Sequence, residues 1–183
     1  MTAEQQKRYD AALAYACTKH NGQYRKGGEP YIIHPIAVAN TVRDWGEDID
    51  YQIVGLFHDL LEDTDATEEE ILNLGGEEVL HAVKLLTKVQ DYVMDEYVAG
   101  IKSDYMDSVV KAADRLHNLR SAEKLGDEFK RRYLWETVDF YLDLPHGEDI
   151  IEEAKKLRRT MDRQMTDLPM TYKPIPRGEW KMD

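Results

Sequence analysis

An all-α fold is what this chain predicts, on three observations. Apolar residues recur at helical rather than alternating spacing along most of its 183 residues, and no convincing strand pattern interrupts them. Two capping-box patterns, Thr2-Ala3-Glu4-Gln5 and Thr67-Glu68-Glu69-Glu70, mark helix starts. Asn21-Gly22, Gly46 and Gly75-Gly76 punctuate the stretches between helices. The length suits one domain able to bury roughly 70% of its unfolded surface, so no disulfide staples are needed.

The first helix runs from the Thr2 cap to about His20. Gln23 to Pro30 is a loop in which Arg25 and Lys26 stand beside Gly27 and Gly28, so that backbone and cations can approach a phosphate together. Taken alone, the loop reads as an ordinary exposed turn. Tyr31-Ile32-Ile33 then leads into His34, and Pro35 suits the first position of a helix reaching about Trp45.

Asp50 is the expected cap of the next helix, which carries Phe57-His58-Asp59-Leu60-Leu61-Glu62-Asp63-Thr64. At about 100° per residue, His58, Asp59, Glu62 and Asp63 share one face behind an apolar back. Four such groups in a half-buried position repel and desolvate one another unless a cation or a proton offsets the cost. A divalent metal is the economical answer. A solvated acidic face is the alternative, and for Glu62, Asp63 and Asp65 taken alone it is the better one.

The second capping box opens a short helix closed by Gly75-Gly76, and Glu77 to Lys88 forms another with Val79, Leu80, Val83, Leu85 and Leu86 on a broad apolar face. An amphipathic helix is expected from Tyr92 to Lys102, and Asp104 caps the one after it. There Val109, Ala112, Ala113, Leu116 and Leu119 form the apolar side. Lys111, Asp114, Asn118 and Ser121 form a polar stripe with His117 at its edge. Helices from about Asp127 to Leu142 and from Asp149 to about Met165 complete a single domain, residues 1–166. The aromatic stripe of the first of these is most simply core, with Tyr133 or Tyr141 as candidates to line a pocket. Pro169, Pro174 and Pro176 make residues 167–183 an extended tail that packs on the body or reaches a second subunit of a homo-oligomer.

Charge and composition exclude several classes. A formal charge of −12 leaves no basic excess to release counterions from a nucleic acid, and an anionic small molecule needs a local cluster of cations or a metal. No stretch approaches the roughly 18 apolar residues of a membrane span, and Met1 to Arg8 lacks the apolar run of a signal peptide, so a soluble cytoplasmic protein is expected. The single Cys17 reads as a small core residue in a reducing compartment. His20, His81 and His146 have no partners in the pattern.

Together, the segments Arg25 to Pro35, His58 to Thr64, Lys84 to Lys88 and Lys111 to Asn118 resemble the HD-domain metal-dependent phosphohydrolases. Within these, they resemble the alarmone hydrolases of the Rel/Spo and Mesh type, over roughly residues 5 to 142. The resemblance implies a compact helical HD-domain bundle with His34, His58, Asp59 and Asp114 as ligands of one divalent ion, usually manganese. Zinc and iron suit the same donors, and Irving–Williams affinity does not choose among them. It further implies Glu62 and Asp63 as catalytic carboxylates and Arg25, Lys26 and Asn118 as nucleotide contacts, joined by Lys111, Ser121 and Tyr141 around the same pocket. His117 is expected to orient Asp114 or a neighbour rather than bind metal.

The implied reaction is removal of the 3′-pyrophosphate of guanosine tetra- or pentaphosphate, giving GDP or GTP. At this length a hydrolase without a synthetase domain is expected. The stretch between Lys88 and Lys111 is shorter than in the long Rel/Spo enzymes, and Ser121 stands where threonine is common, so one pocket wall should differ. The alternatives are an HD phosphohydrolase acting on another nucleotide, such as a nucleoside monophosphate or the 2′-phosphate of NADPH, and a metal-binding sensor without catalysis. The two spare carboxylates, Glu62 and Asp63, favour an enzyme over the sensor.

Overall fold

The computed structural model of the protein describes residues 1–161. Among them are ten α-helices, one 3-10 turn and no strand, as the periodicity predicts. A lone antiparallel bridge from Tyr24 to Pro30 closes the loop after the first helix. The tail at 167–183, and the last residues of the final expected helix, lie outside the described residues.

Both capping boxes form. The Thr2 hydroxyl accepts from the Gln5 N–H at the start of α1 (Ala3–Lys19), and Thr67 with Glu70 does the same for α5 (Glu68–Gly75). Helix α2 (Ile33–Asp44) starts two residues before the expected Pro35. Proline is tolerated there because the first-turn N–H groups have no partner inside the helix anyway. Helix α3 (Ile49–Phe57) is capped by Asp48, whose carboxylate accepts from the Asp50 N–H, and not by Asp50, which instead pairs with Arg8 at 2.6 Å.

The apolar pattern after Phe57 does not continue as one helix. His58 and Asp59 form a turn between α3 and the short α4 (Leu60–Asp63). Helices α6 (Glu77–Leu86) and α7 (Met94–Lys102) follow, and Asp104 caps α8 (Tyr105–Ser121) as expected. A 3-10 turn (Ala122–Lys124) leads to α9 (Asp127–Phe140) and α10 (Gly147–Arg159).

Two apolar cores meet at α8. Val109, Val110 and Ala113 pack with α2, α3, α5 and α6, while Ala112 and Leu119 pack with Tyr141, Leu144, Ile150 and Leu157. A helix buried on all sides can carry charge only where partners compensate it, and α8 carries Lys111, Asp114 and Arg115 in its buried middle. The approach of α3 to α2 is equally constrained. A Cβ on Gly55 would stand 3.1 Å from the backbone of Ala39, so glycine is what lets these helices close to the distance the site requires.

Cys17 corrects one expectation, since it is exposed. The inner stripe of α1 passes through Ala12 and Ala16 with Tyr9 and Leu13 beside them, which turns residue 17 to solvent. Among the described residues no helix is long and apolar enough to cross a membrane.

Asp107 on α8 is wholly buried, and neither of its carboxylate oxygens has a hydrogen-bond partner among the described residues. Burial, with the Asp104 charge adding to it, pushes its carboxyl up to about 8. Unfolded, the same group titrates near 3.9. Between those values the native state holds a proton that the unfolded chain releases, so the contribution is complete at low pH and is lost as pH rises towards 8. Asp107→Asn cannot ionise. Its stability relative to wild type is expected to grow from pH 5 to pH 8 by at most about 1.4 kcal/mol per pH unit, which urea melts at several pH values would measure.

Candidate metal centre

The turn at His58 and Asp59 places both side chains where α2 and α8 also arrive. His34, second residue of α2, and His58 are both buried, and their Nε2 atoms lie 3.2 Å apart. Asp59 Oδ2 is 3.1 Å from His58 Nε2 and 3.5 Å from His34 Nε2. His34, His58 and Asp59 thus offer donor atoms within 4.8 Å of one another, a cluster that could hold a metal ion. Asp114, from the centre of α8, brings Oδ1 to 3.2 Å from His34 Nε2 and 3.8 Å from His58 Nε2.

Hydrogen bookkeeping shows how well these residues fit a cation. His58 Nδ1 lies 2.8 Å from the Gly55 carbonyl, which only accepts, so Nδ1 carries the hydrogen and the neutral ring turns its Nε2 lone pair inward. His34 Nδ1 faces His117 Nδ1 at 2.8 Å. His117 is pushed down to about 4 by burial and by the nearby His34 and Arg25, so it stays neutral and can accept the His34 hydrogen. Two imidazole lone pairs and two carboxylate oxygens then converge with no donor among them. The companions that fix tautomer and ring orientation are those that metal-ligating histidines characteristically have.

The electrostatics point the same way. Burial lowers His34. Burial also opposes charge on His58, but the adjoining Asp59 and Asp114 outweigh it and push the ring up to about 9. The two carboxylates thus favour positive charge at this point, which is the charge a metal ion would supply. Burial disfavours the charge on Asp114, yet Lys111 at 2.9 Å and the two imidazoles hold its carboxyl well below the usual range.

Glu62 and Asp63 stand beside the cluster, open to the cavity. Glu62 accepts from the Lys88 N–H at 3.0 Å, and Asp63 from the Tyr31 hydroxyl at 2.8 Å. Partial burial raises both, Lys88 offsetting this at Glu62 and the Asp59 charge adding to it at Asp63. Neither sits among the clustered donors, so both remain available for proton transfer.

Above the centre opens a cavity of about 1090 Å³, whose wall carries, among the described residues, eight Lys and Arg against seven Asp and Glu. On a chain of charge −12 this is a local reversal suited to an anion. Arg25 reaches over it, its Nη2 donating to Asn118 Oδ1 at 2.6 Å, and Asn118 in turn donates to the Asp114 carboxylate. Lys26 places Nζ 5.4 Å from the Phe129 ring centre. Arg25, Lys26, Lys111, Asn118 and Ser121 all line the cavity.

Tyr141 does not line it. The ring is fully buried beneath Arg115, whose guanidinium lies 4.1 Å from its centre, so of the two candidates on this stretch it is Tyr133 that lines the cavity. His117 orients His34 rather than Asp114. Two contributors escaped the sequence reading. Tyr31 lies three residues before His34, a spacing that could have signalled a shared face, and its hydroxyl also reaches Asp59 Oδ2 at 2.7 Å. Arg115, buried with Glu136 as its partner, follows Asp114 on α8 and carried no signal beyond its charge.

A helical bundle that brings two histidines and two aspartates together at the floor of a cavity walled by both cations and carboxylates is of a class that could hold a metal ion on histidine and aspartate donors. The chain belongs to the HD-domain family, which it matches over residues 12–151. It is 40% identical over 144 residues to a probable guanosine-3′,5′-bis(diphosphate) 3′-pyrophosphohydrolase of Synechocystis, covering 73% of this chain and 19% of that protein. It is 35% identical over 147 residues to a GTP pyrophosphokinase of Myxococcus xanthus, with the same 73% and 19% coverage. The chain thus spans about a fifth of the length of these curated relatives. Among solved structures, a metazoan ortholog of SpoT that hydrolyses ppGpp superposes with a TM-score of 0.68 at 25% identity, covering 87% of this chain and 96% of that one.

Proposed function

We propose that this protein is an alarmone hydrolase, cleaving the 3′-pyrophosphate from guanosine tetra- or pentaphosphate to give GDP or GTP and pyrophosphate. The observation that carries this reading is the placement of Glu62 and Asp63. They are two carboxylates outside the donor cluster, beside it, and open to a cavity rich in cations. A sensor needs the ligands alone; hydrolysis also needs groups that move protons. The likeness to the ppGpp-hydrolysing metazoan protein over nearly the whole of both chains supports the same substrate.

His34, His58, Asp59 and Asp114 would hold the ion, for which we favour manganese, with zinc and iron suited to the same donors. When bound, it supplies Lewis acidity to a phosphoryl oxygen. The protein's own groups do the rest. Water adds to the phosphorus attached to the ribose 3′-oxygen, and the bond between them breaks. One of Glu62 and Asp63 takes the proton from water and the other steadies or protonates the departing 3′-oxygen. Arg25, Lys26 and Lys111 offset phosphate charge, and Asn118 and Ser121 offer hydrogen bonds to the nucleotide.

The test is to incubate the purified, manganese-loaded protein with guanosine tetraphosphate. Stoichiometric GDP and pyrophosphate are expected. No turnover with manganese shown to be bound would overturn the assignment, and orthophosphate released from NADPH would put the second nucleotide reading in its place. Arg25→Ala should raise KM by about tenfold with kcat far less affected, the lower end of what a lost charge-assisted hydrogen bond costs, because Arg25 already spends one donor on Asn118. Steady-state kinetics would show the split.

A further inference from the structure

The structure assigns Tyr31 a part in the site: we propose that it is a positioning residue whose hydroxyl fixes the Asp63 carboxylate relative to the metal ligand Asp59. Its consequence for turnover rests on the hydrolase reading above. The hydroxyl lies 2.7 Å from Asp59 Oδ2 and 2.8 Å from Asp63 Oδ2, its single hydrogen shared between the two acceptors, so one oxygen spans a ligand and a carboxylate outside the ligand set.

Tyr31 is itself held on two sides. Its ring stacks on buried His20, centres 4.8 Å apart and planes 26° from parallel, and meets the His34 ring edge-on at 6.1 Å and 87°. His20 is held by Gln23, with Nδ1 and Oε1 2.7 Å apart. The Gln23 side-chain amide also donates to the Asp63 backbone carbonyl at 2.7 Å, while the Gln23 backbone carbonyl accepts from the Tyr31 N–H at 2.9 Å. Asp63 is therefore gripped twice, through its backbone by Gln23 and through its side chain by Tyr31.

The geometry explains why a residue at the cavity wall needs such support. Asp63 ends α4, a single turn with no further helix to stiffen it, and its carboxylate is open to solvent. Left to itself, that side chain would sample several rotamers. A hydroxyl anchored by two aromatic contacts selects one and ties it to the centre. The same stretch of chain, residues 20–31, carries Arg25 and Lys26, so the cations that meet the substrate and the carboxylate that serves it share one support.

A double-mutant cycle in the manganese-loaded protein tests this. Tyr31→Phe keeps both ring contacts and removes only the hydroxyl. It is expected to lower kcat about 10- to 100-fold, at or below the lower end of what loss of the proton-transferring carboxylate itself would cost because Asp63 is misplaced and not removed, with KM within about threefold. In an Asp63→Asn background the same change should cost less than about threefold, because its effect runs through Asp63. Equal losses in both backgrounds would overturn the inference, as would a Tyr31→Phe enzyme with wild-type kcat. If the wild type leaves guanosine tetraphosphate intact, the functional reading fails. The same cycle read as melting temperatures then decides the Tyr31 contact alone: non-additive shifts uphold it and additive shifts remove it.

Discussion

His58→Ala is expected to strip the protein of its metal and to abolish turnover, by on the order of 10³-fold or more, since the ion supplies several kcal/mol of charge stabilisation. The size of the effect follows from the position of the ring. His58 is buried, its Nδ1–H is committed to the Gly55 carbonyl, and its Nε2 faces His34, Asp59 and Asp114 at once. Removing it also leaves Asp59 and Asp114 facing one another without the imidazole that stands between them. Metal analysis after desalting should find about one manganese per wild-type chain and almost none in the variant. A variant that kept its manganese and its rate would remove His58 from the ligand set.

Glu62→Gln should separate chemistry from metal binding. The amide preserves size and can still accept the Lys88 N–H, so the loop after α6 stays in place. What it cannot do is take a proton. A loss of about 10²- to 10⁴-fold in kcat is expected, the range for removing a general acid or base, with manganese content unchanged. The pH profile sharpens the point. Partial burial raises the Glu62 carboxyl above the usual glutamate range, the Lys88 N–H only partly opposing this. If Glu62 is the base, the wild-type rate falls as pH drops through that raised value, and the acid limb disappears in the variant. An unchanged acid limb with a full loss of rate would hand the base role to Asp63.

Much of the site is written in local patterns. The spacing of Lys111, Asp114 and Asn118 places them on one stripe of α8 whatever the rest of the chain does, because 3.6 residues per turn is a property of the backbone. The loop at Arg25 and Lys26 reads as an ordinary exposed turn when taken alone, and becomes a site candidate only beside the His34 motif that follows it. Other features depend on partners far away in sequence. The continuous polar face expected over His58 to Asp63 is in fact a turn followed by a new helix, and that break aims His58 and Asp59 at α2 and α8. Tyr141 looked as able to line the pocket as Tyr133, and only the position of Arg115 between the two rings decides which is buried.

By itself, then, the sequence determined the fold class, the helix starts at Thr2, Thr67 and Asp104, and the residue types that could share a divalent ion, since periodicity and capping act over a few residues. Tertiary structure alone decided that His34 meets His117 across 83 positions, that Asp59 and Asp63 are joined by Tyr31, and that Gly55 lets two helices close on one another. Contacts of that range arise only when apolar faces pack. Packing fixes the angle and depth of each helix, and no local pattern of residues encodes either.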